Sequence, residues 1–221
     1  MSIHLTKSKH YYQEELLNSI THGLCVLLSF VGLVWMLIEA VHHGGIWRIT
    51  STAIYGISLI ILFSASTLYH SFHSIKIKYI LKIVDHASIY LLIAGSYSPI
   101  ALIVLKGDSG WTLFFTIWTM AILGVIFKLF FVKRFTVLST LVYIIMGWFA
   151  IFYMEPLIQH LPYNGLLWLV AGGITYTLGT IFFLWEKLPF NHAIWHLFVM
   201  GGSISHFLAI YLYIVPLNGG C

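Results

Sequence analysis

Charged residues and cysteines are both scarce in this sequence. Asp, Glu, Lys and Arg make up only 8% of the 221 residues, whereas roughly a quarter of the residues of a soluble domain are charged. Hydrophobic residues make up 60%, which is the composition of an integral membrane protein. The two cysteines, Cys25 inside an apolar run and Cys221 at the C-terminus, exclude a disulfide framework and a cysteine-based metal site.

Seven apolar runs divide the chain. Each is close to the ~20 residues that an α-helix needs to cross the hydrocarbon core of a bilayer. We predict helices 1 to 7 over residues 19–41, 47–70, 79–105, 111–131, 137–154, 165–185 and 193–215. Because the connections between them are short, we expect one all-α, seven-helix transmembrane domain over residues 19–215. A polar cytoplasmic segment at 1–18, unlike a secretory signal peptide, and a short outer tail at 216–221 flank it.

Lys and Arg residues concentrate on one side of the predicted bundle. Of the eleven in the chain, only Arg48 and Lys106 fall on the side opposite the N-terminus. The others are Lys7, Lys9, Lys76, Lys78, Lys82, Lys128, Lys133, Arg134 and Lys187. Because short loops rich in Lys and Arg stay in the cytoplasm, we predict that the N-terminus is cytoplasmic and the C-terminus is outside.

Polar residues of three predicted helices then meet at one depth in the membrane. Helix 2 ends on the cytoplasmic side with Ser66 and His70, helix 3 begins there with Asp85, and helix 7 begins there with His192 and His196. The last two are four residues apart and therefore share one face of their helix. A carboxylate inside a span costs ~2.5–3.5 kcal/mol on insertion scales and normally has a partner. The sequence therefore predicts a polar site in the inner leaflet.

The residue types at this site suit metal-assisted hydrolysis. His70, His192 and His196 would supply three nitrogen ligands to Zn²⁺ and leave one position open for water, whose pKa zinc lowers to about 7. Asp85 would hold that water and accept its proton. Ser66, one turn before His70, would donate a hydrogen bond to a substrate carbonyl or developing oxyanion.

Each of these residues also has a simpler interpretation. The Ser66 hydroxyl could bond only to a carbonyl of its own helix, which is common for serine in membranes. Asp85 could pair with Lys82, three residues earlier on the same helix. The three histidines could lie at the membrane interface without binding a metal.

The remaining histidines are interpreted from their positions. We expect His73 to be solvated in a loop and His206 to be packed and hydrogen-bonded. His86 is turned about 100° from Asp85 around the helix, so we expect it to face lipid headgroups or a neighbouring helix. His22, together with Asn18, would support the site from helix 1. Three others lie on the outer side, too far away to join it: His42, His43 and His160.

The combined motifs resemble the hemolysin III family, bacterial relatives of the progestin and adipoQ receptors and, more distantly, of the alkaline ceramidases. The motifs are Glu15-x-x-Asn18-x-x-Thr21-His22-Gly23, Ser66-x-x-x-His70, Asp85 and His192-x-x-x-His196. The resemblance covers the chain from about residue 14 to residue 215. It implies a seven-helix bundle in a bacterial plasma membrane with a cytoplasmic N-terminus. It also implies a zinc ion held by the three histidines, with Ser66 and Asp85 beside it.

Three functions stay open at this point. The first is a zinc-dependent hydrolase of a lipid amide or ester, similar to a ceramidase, with a role in membrane lipid homeostasis. The second is the pore-forming cytolysin that the family name implies, although a pore needs polar stripes along several helices and helices 4 and 5 are almost wholly apolar. The third is a receptor-like lipid sensor without turnover. We expect membrane lipids as partners, a lipid-like substrate or ligand inside the bundle, and no nucleic acid.

Overall fold

Seven helices are long and apolar enough to cross a membrane. The computed structural model describes the backbone of residues 2–217 and the side chains of residues 11–217, and this part of the chain contains no β-strand. The helices are helix 1 (Ser2–His43), helix 2 (Ile46–Ser71), helix 3 (Ile75–Pro99), helix 4 (Gly107–Phe131), helix 5 (Thr136–Gly147), helix 6 (Tyr163–Leu184) and helix 7 (Asn191–Ala209). The predicted all-α, seven-helix membrane bundle is confirmed.

Three of the helices continue into segments of different pitch. Helix 3 passes at Pro99 into a π-helical segment, Ile100–Leu105, and proline, which has no N–H to donate, commonly marks such a change. Helix 7 continues as the π-helical segment Ile210–Ile214. Helix 5 is followed by a 3₁₀ turn, Phe149–Tyr153, and a short α-helix, Met154–His160. Three spans are therefore longer than their regular α-helices.

Several predicted boundaries were wrong. Helices 3 and 4 each begin four residues earlier than predicted, at Ile75 and Gly107. Helix 1 begins at Ser2, so residues 2–18 are not a segment separate from the helix. The polar residues there, such as Glu14 and Glu15, are good helix formers, and a search for apolar runs does not detect them. The predicted loop over 156–164 is partly helical because Pro156 lies in the first turn of Met154–His160, where its missing N–H is not needed. Residues 218–221 of the predicted outer tail, including Cys221, lie outside the described residues.

One lysine of the charge bias is buried rather than exposed in a loop. Lys128 lies in the last turn of helix 4 with 1% of its surface exposed, and its Nζ donates a hydrogen bond to Ser139 Oγ of helix 5 at 2.7 Å. This contact joins two helices near the predicted cytoplasmic side. Lys7 and Lys9, also counted in the bias, lie outside the described side chains.

Helix 3 occupies the centre of the bundle. In the most apolar stretch of this span, 72% of the residues are buried, against 11% in the corresponding stretch of helix 6. Helix 3 packs against helices 2, 4 and 5. Helix 2 approaches helix 3 closely at Gly95, because glycine has no Cβ atom and a Cβ there would overlap Ser58. Small residues commonly allow such close approach between membrane helices. Helix 1 packs on helices 2 and 7, and helix 6 packs on helix 7. Side chains on several faces of helix 3 therefore point into protein.

The predicted orientation can be tested by labelling single cysteines in a variant that lacks Cys25 and Cys221. Cysteines at the exposed positions Lys76 and Lys187 should be protected from an impermeant thiol reagent in intact cells, because both belong to the Lys-rich side. Cysteines at Asp108 and Asn164, which are exposed at the other end of the bundle, should react. The opposite pattern would place the polar site in the outer leaflet.

Candidate metal centre and its cavity

Three histidines meet at the predicted cytoplasmic end of the bundle. His70 lies in the last turn of helix 2, and His192 and His196 lie in the first two turns of helix 7. One ring nitrogen of each lies within 4.8 Å of those of the other two. His70 and His196 are 3% and 2% exposed, and His192 is partly buried. This cluster could hold a metal ion.

Two nitrogens of the cluster, one each on His70 and His196, have an unmet bonding requirement. His70 Nε2 is buried, and it has no hydrogen-bond partner among the described residues. Leaving such a polar atom unpaired costs about 1–3 kcal/mol. A metal ion shared with His192 and His196 would satisfy it, so the donor set fits a metal.

Residues of helix 1 surround the histidines. The ring nitrogen Nδ1 of His70 lies 3.3 Å from Glu15 Oε2 and 3.4 Å from Asn18 Nδ2. The ring of His22 is stacked on that of His196, with centroids 3.6 Å apart and planes at 6°. The prediction that His22 and Asn18 lie beside the site from helix 1 agrees with these contacts. Glu15 belongs to the sequence motif, but its position alone predicts no separate role for it.

Asp85 and His86 lie together on helix 3, next to the cluster. Both are 8% exposed, and Asp85 Oδ2 lies 3.4 Å from His86 Nδ1. The titratable side chain in contact with the Asp85 carboxylate is therefore His86, and no ion pair with Lys82 occurs among the described residues. His86 packs near Tyr69 and Phe183 of neighbouring helices, which is the second of the two predicted environments, a neighbouring helix rather than lipid headgroups. The reason is that helix 3 is central, and residues turned well apart on it are both buried.

Ser66 lies one turn before His70, as the spacing predicts. Its side chain is 1% exposed, and its hydroxyl oxygen has no hydrogen-bond partner among the described residues. The simpler interpretation, a bond to a carbonyl of its own helix, is therefore not what the structure contains. A buried hydroxyl without a partner is available to a ligand.

A cavity of about 120 Å³ extends from the cluster into the bundle. The residues at the end nearest the cluster include His22, Ser66, Asp85, His86, His192 and His196. Its walls are largely apolar and include Leu62, Ile89, Leu92, Ile93, Ile144 and Val199. His206 lines the far end, ten residues beyond His196 on helix 7 and therefore about 15 Å deeper. The cavity is thus polar at the cluster and apolar along most of its length.

The other histidines lie apart from the cluster. His206 Nε2 is 3.2 Å from the carbonyl oxygen of Leu169, which confirms that it is a packed, hydrogen-bonded residue. His73 is exposed, as predicted. On the predicted outer side, His160 Nδ1 lies 2.8 Å from the Pro156 carbonyl oxygen, and His43 pairs with Glu39. None of these four is a member of the three-histidine group.

The fold and the site together define a multi-pass bacterial membrane protein with a three-histidine cluster that could hold a metal ion. The chain matches the family described as Haemolysin-III related over residues 10–207. It therefore belongs to this family, and the resemblance found in its motifs is confirmed.

Relatives in this family align over nearly the whole chain. Hemolysin-3 of Bacillus cereus is 50% identical over 216 residues, which cover 98% of this chain and 99% of the relative. The Hemolysin-3 homolog of Bacillus subtilis (strain 168) is 49% identical over 203 residues, or 92% and 95% of the two chains. Monocyte to macrophage differentiation factor of Homo sapiens is 30% identical over 210 residues, or 91% and 84%.

Metal binding by the cluster can be tested on protein purified without a polyhistidine tag. Elemental analysis should find about one transition-metal ion per chain in the unaltered protein, and His196→Ala should lose most of it because two ligands do not hold the ion as three do. The loss should also lower the thermal midpoint, because a metal that binds only the folded state stabilises that state.

The matched control is His73→Ala, which removes an exposed histidine three residues from His70. This variant should keep the metal and the thermal midpoint of the unaltered protein. Equal metal content in the unaltered protein and in His196→Ala would contradict a metal site at the cluster.

Proposed function

We propose that this protein is a zinc-dependent hydrolase that cleaves an amide or ester bond of a membrane lipid and so takes part in membrane lipid homeostasis. One observation carries the proposal: the three-histidine cluster adjoins the polar end of a cavity whose other walls are largely apolar. Structural zinc sites are usually closed by four protein ligands, whereas three ligands leave a position for water or substrate. Apolar walls suit the acyl chain of a lipid better than they suit a polar substrate.

The donor set favours zinc among the common metals. Neutral imidazole nitrogens suit zinc, copper, iron and nickel, whereas calcium and magnesium require oxygen ligands. Zinc with three histidines and an open position is an established catalytic arrangement. Bound by His70, His192 and His196, the ion would supply Lewis-acid chemistry and lower the pKa of a coordinated water to about 7.

Asp85 is the general base of the proposed reaction. Its carboxylate is buried, lines the cavity and lies 3.4 Å from His86 Nδ1, a contact that helps to fix its orientation. Water adds to the carbonyl carbon while Asp85 accepts its proton. When the C–N or C–O bond breaks, the same proton is returned to the leaving amine or alcohol, so that one group serves as base and then as acid.

Ser66 stabilises the charge that develops on the substrate. Its hydroxyl lines the cavity and has no hydrogen-bond partner among the described residues, so it can turn toward the carbonyl oxygen without breaking an existing bond. A donor aimed at the developing oxyanion lowers the barrier because the bond is stronger in the transition state than in the ground state. His22 lines the cavity beside it, and both of its ring nitrogens are also unpaired.

The names of the bacterial relatives favour a second candidate, a pore-forming cytolysin. A conducting pore needs polar groups along the whole membrane thickness, and the walls of this cavity are largely apolar beyond the cluster. A lipid sensor without turnover would use the same cavity and differs only in lacking the chemical step. Both candidates can be separated from the hydrolase by experiment.

Replacing the base should abolish turnover without removing the metal. We expect Asp85→Asn to keep its zinc and its thermal midpoint, and to lose ~10²–10⁴ in hydrolysis rate, which is the usual contribution of a general base. Ser66→Ala should lose less, because the nucleophile and the base both remain. The assay is fatty-acid release from ceramides, N-acyl amines and phospholipids in liposomes.

Dye leakage from the same liposomes separates the enzyme from the cytolysin. Fatty-acid release that requires zinc and disappears in Asp85→Asn is the expected result. Leakage that persists in Asp85→Asn and after chelation, with no release from any lipid, would favour the cytolysin. Lipid binding without release or leakage would favour the sensor.

The cavity can be tested as the acyl-chain site by filling it. Val199 is 5% exposed, lines the cavity and lies three residues beyond His196 on helix 7. Val199→Phe should therefore slow the release of long acyl chains more than that of short ones, with no change in zinc content. Ile204→Phe on the same helix is the control, because Ile204 is 52% exposed. An unchanged chain-length preference in Val199→Phe would exclude this cavity as the site.

A further inference from the structure

Two successive turns of helix 1 contact both helices that carry the histidine cluster. The residues Glu15, Asn18 and His22 recur at intervals of three and four, so they share one face of helix 1. Two of them lie against Nδ1 of His70 on helix 2, and the third is stacked on His196 of helix 7. Glu15 and Asn18 have no part in the catalytic roles proposed above. Their role follows from the hydrogen bonds that they make.

We propose that Glu15 and Asn18 are positioning residues that hold His70 in the tautomer able to bind the metal, an inference that rests on the proposed zinc site. A carboxylate can only accept a hydrogen bond, so its contact with His70 Nδ1 at 3.3 Å requires the proton to be on Nδ1. The lone pair is then on Nε2, the buried nitrogen without a hydrogen-bond partner among the described residues. The opposite tautomer would carry a proton where the metal must bind.

The amide of Asn18 supports the same tautomer once its orientation is considered. With Nδ2 at 3.4 Å from His70 Nδ1, its Oδ1 is buried and has no partner among the described residues. The oxygen and nitrogen of an amide exchange places by a half-turn, and the better orientation is the one that satisfies the hydrogen bonds. A half-turn places Oδ1 against the Nδ1–H of His70 and so pairs the buried oxygen. In this orientation Asn18 accepts a hydrogen bond from His70, and its Nδ2 takes the buried position that Oδ1 held.

Lys78 keeps the carboxylate of Glu15 charged and in place. Its Nζ bonds to Oε2, the same oxygen that faces His70, and also donates to the carbonyl oxygen of Tyr69 at 3.2 Å. The Glu15 carboxylate is only 12% exposed, and a carboxylate that is mostly withdrawn from water needs such a partner. Outer hydrogen-bond partners of this kind orient ligating histidines in many metal sites.

Glu14, the neighbouring residue, holds the other ligand helix. Helix 7 begins after Phe190, whose phenyl ring offers no oxygen to the first N–H groups of the helix. The backbone N–H of His192 donates to Glu14 Oε1 at 3.2 Å instead. A single turn of helix 1 therefore fixes the side chain of one ligand and the backbone of another.

The test compares the zinc affinity of four variants, measured by competition with a chromophoric chelator on purified full-length protein. Asn18→Leu and Glu15→Ala should weaken zinc binding about 10- to 100-fold, the usual effect of losing such a partner. Asn18→Asp should keep the affinity, because an aspartate oxygen can replace the amide oxygen as acceptor. The control is Thr21→Ala, since the Thr21 hydroxyl bonds only to carbonyl oxygens of its own helix, and it should bind zinc normally.

Several results would overturn the proposal, and they differ from failure of the metal site itself. If Asn18→Leu binds zinc as well as or better than the unaltered protein, or if Asn18→Asp loses as much affinity as Asn18→Leu, then Asn18 does not act as an acceptor. Measured without zinc, the variants of Glu15 and Asn18 should have the same thermal midpoint as Thr21→Ala. A fall in zinc affinity then reports on the orientation of His70 and not on a loss of folding. Absence of zinc binding in the unaltered protein would overturn both this inference and the proposed function.

Discussion

The structure depends on the cost of placing ionisable groups inside a membrane. A charged or unpaired polar side chain in the hydrocarbon region is unfavourable by several kcal/mol unless another group in the protein satisfies it. In this chain such groups gather at one end of the bundle, where helices 1, 2, 3 and 7 meet. His70, Asp85 and His196 are each less than a tenth exposed, and none could be buried alone at low cost. The seven-helix packing is therefore also what assembles the site.

The cavity has a polar end at the histidine cluster and largely apolar walls beyond it. Polar side chains occur at the cluster, and the walls beyond it are formed mainly by aliphatic and aromatic residues. A lipid with its reactive bond at the cluster would leave only its acyl chain against these walls, so no polar substrate group would be desolvated without a partner. The unpaired hydroxyl of Ser66 and the unpaired nitrogens of His22 lie where that bond would be. Helix 1 contributes by orientation, since Glu14 and Glu15 contact the two helices that carry the histidines.

The sequence predicts the number and order of the helices because bilayer thickness sets the length of each apolar run. It also predicts that His70, His192 and His196 lie at one depth, because charge bias gives orientation and the spacing of four gives a shared face. It does not predict the bond between Glu15 and His70, which joins residues 55 positions apart and depends on helix 1 continuing beyond its apolar run. The sequence left two environments open for His86 because helical periodicity assumes one buried face, whereas central helix 3 is buried on several.

The central claim is that three histidines from two helices hold a zinc ion with one position left open. X-ray absorption at the zinc edge of the purified, untagged protein tests this most directly. We expect nitrogen and oxygen neighbours at ~2.0–2.1 Å, about four in number, with the outer-shell scattering of three imidazole rings. A sulfur neighbour near ~2.3 Å, four imidazole rings, or a spectrum unchanged by His196→Ala would contradict it.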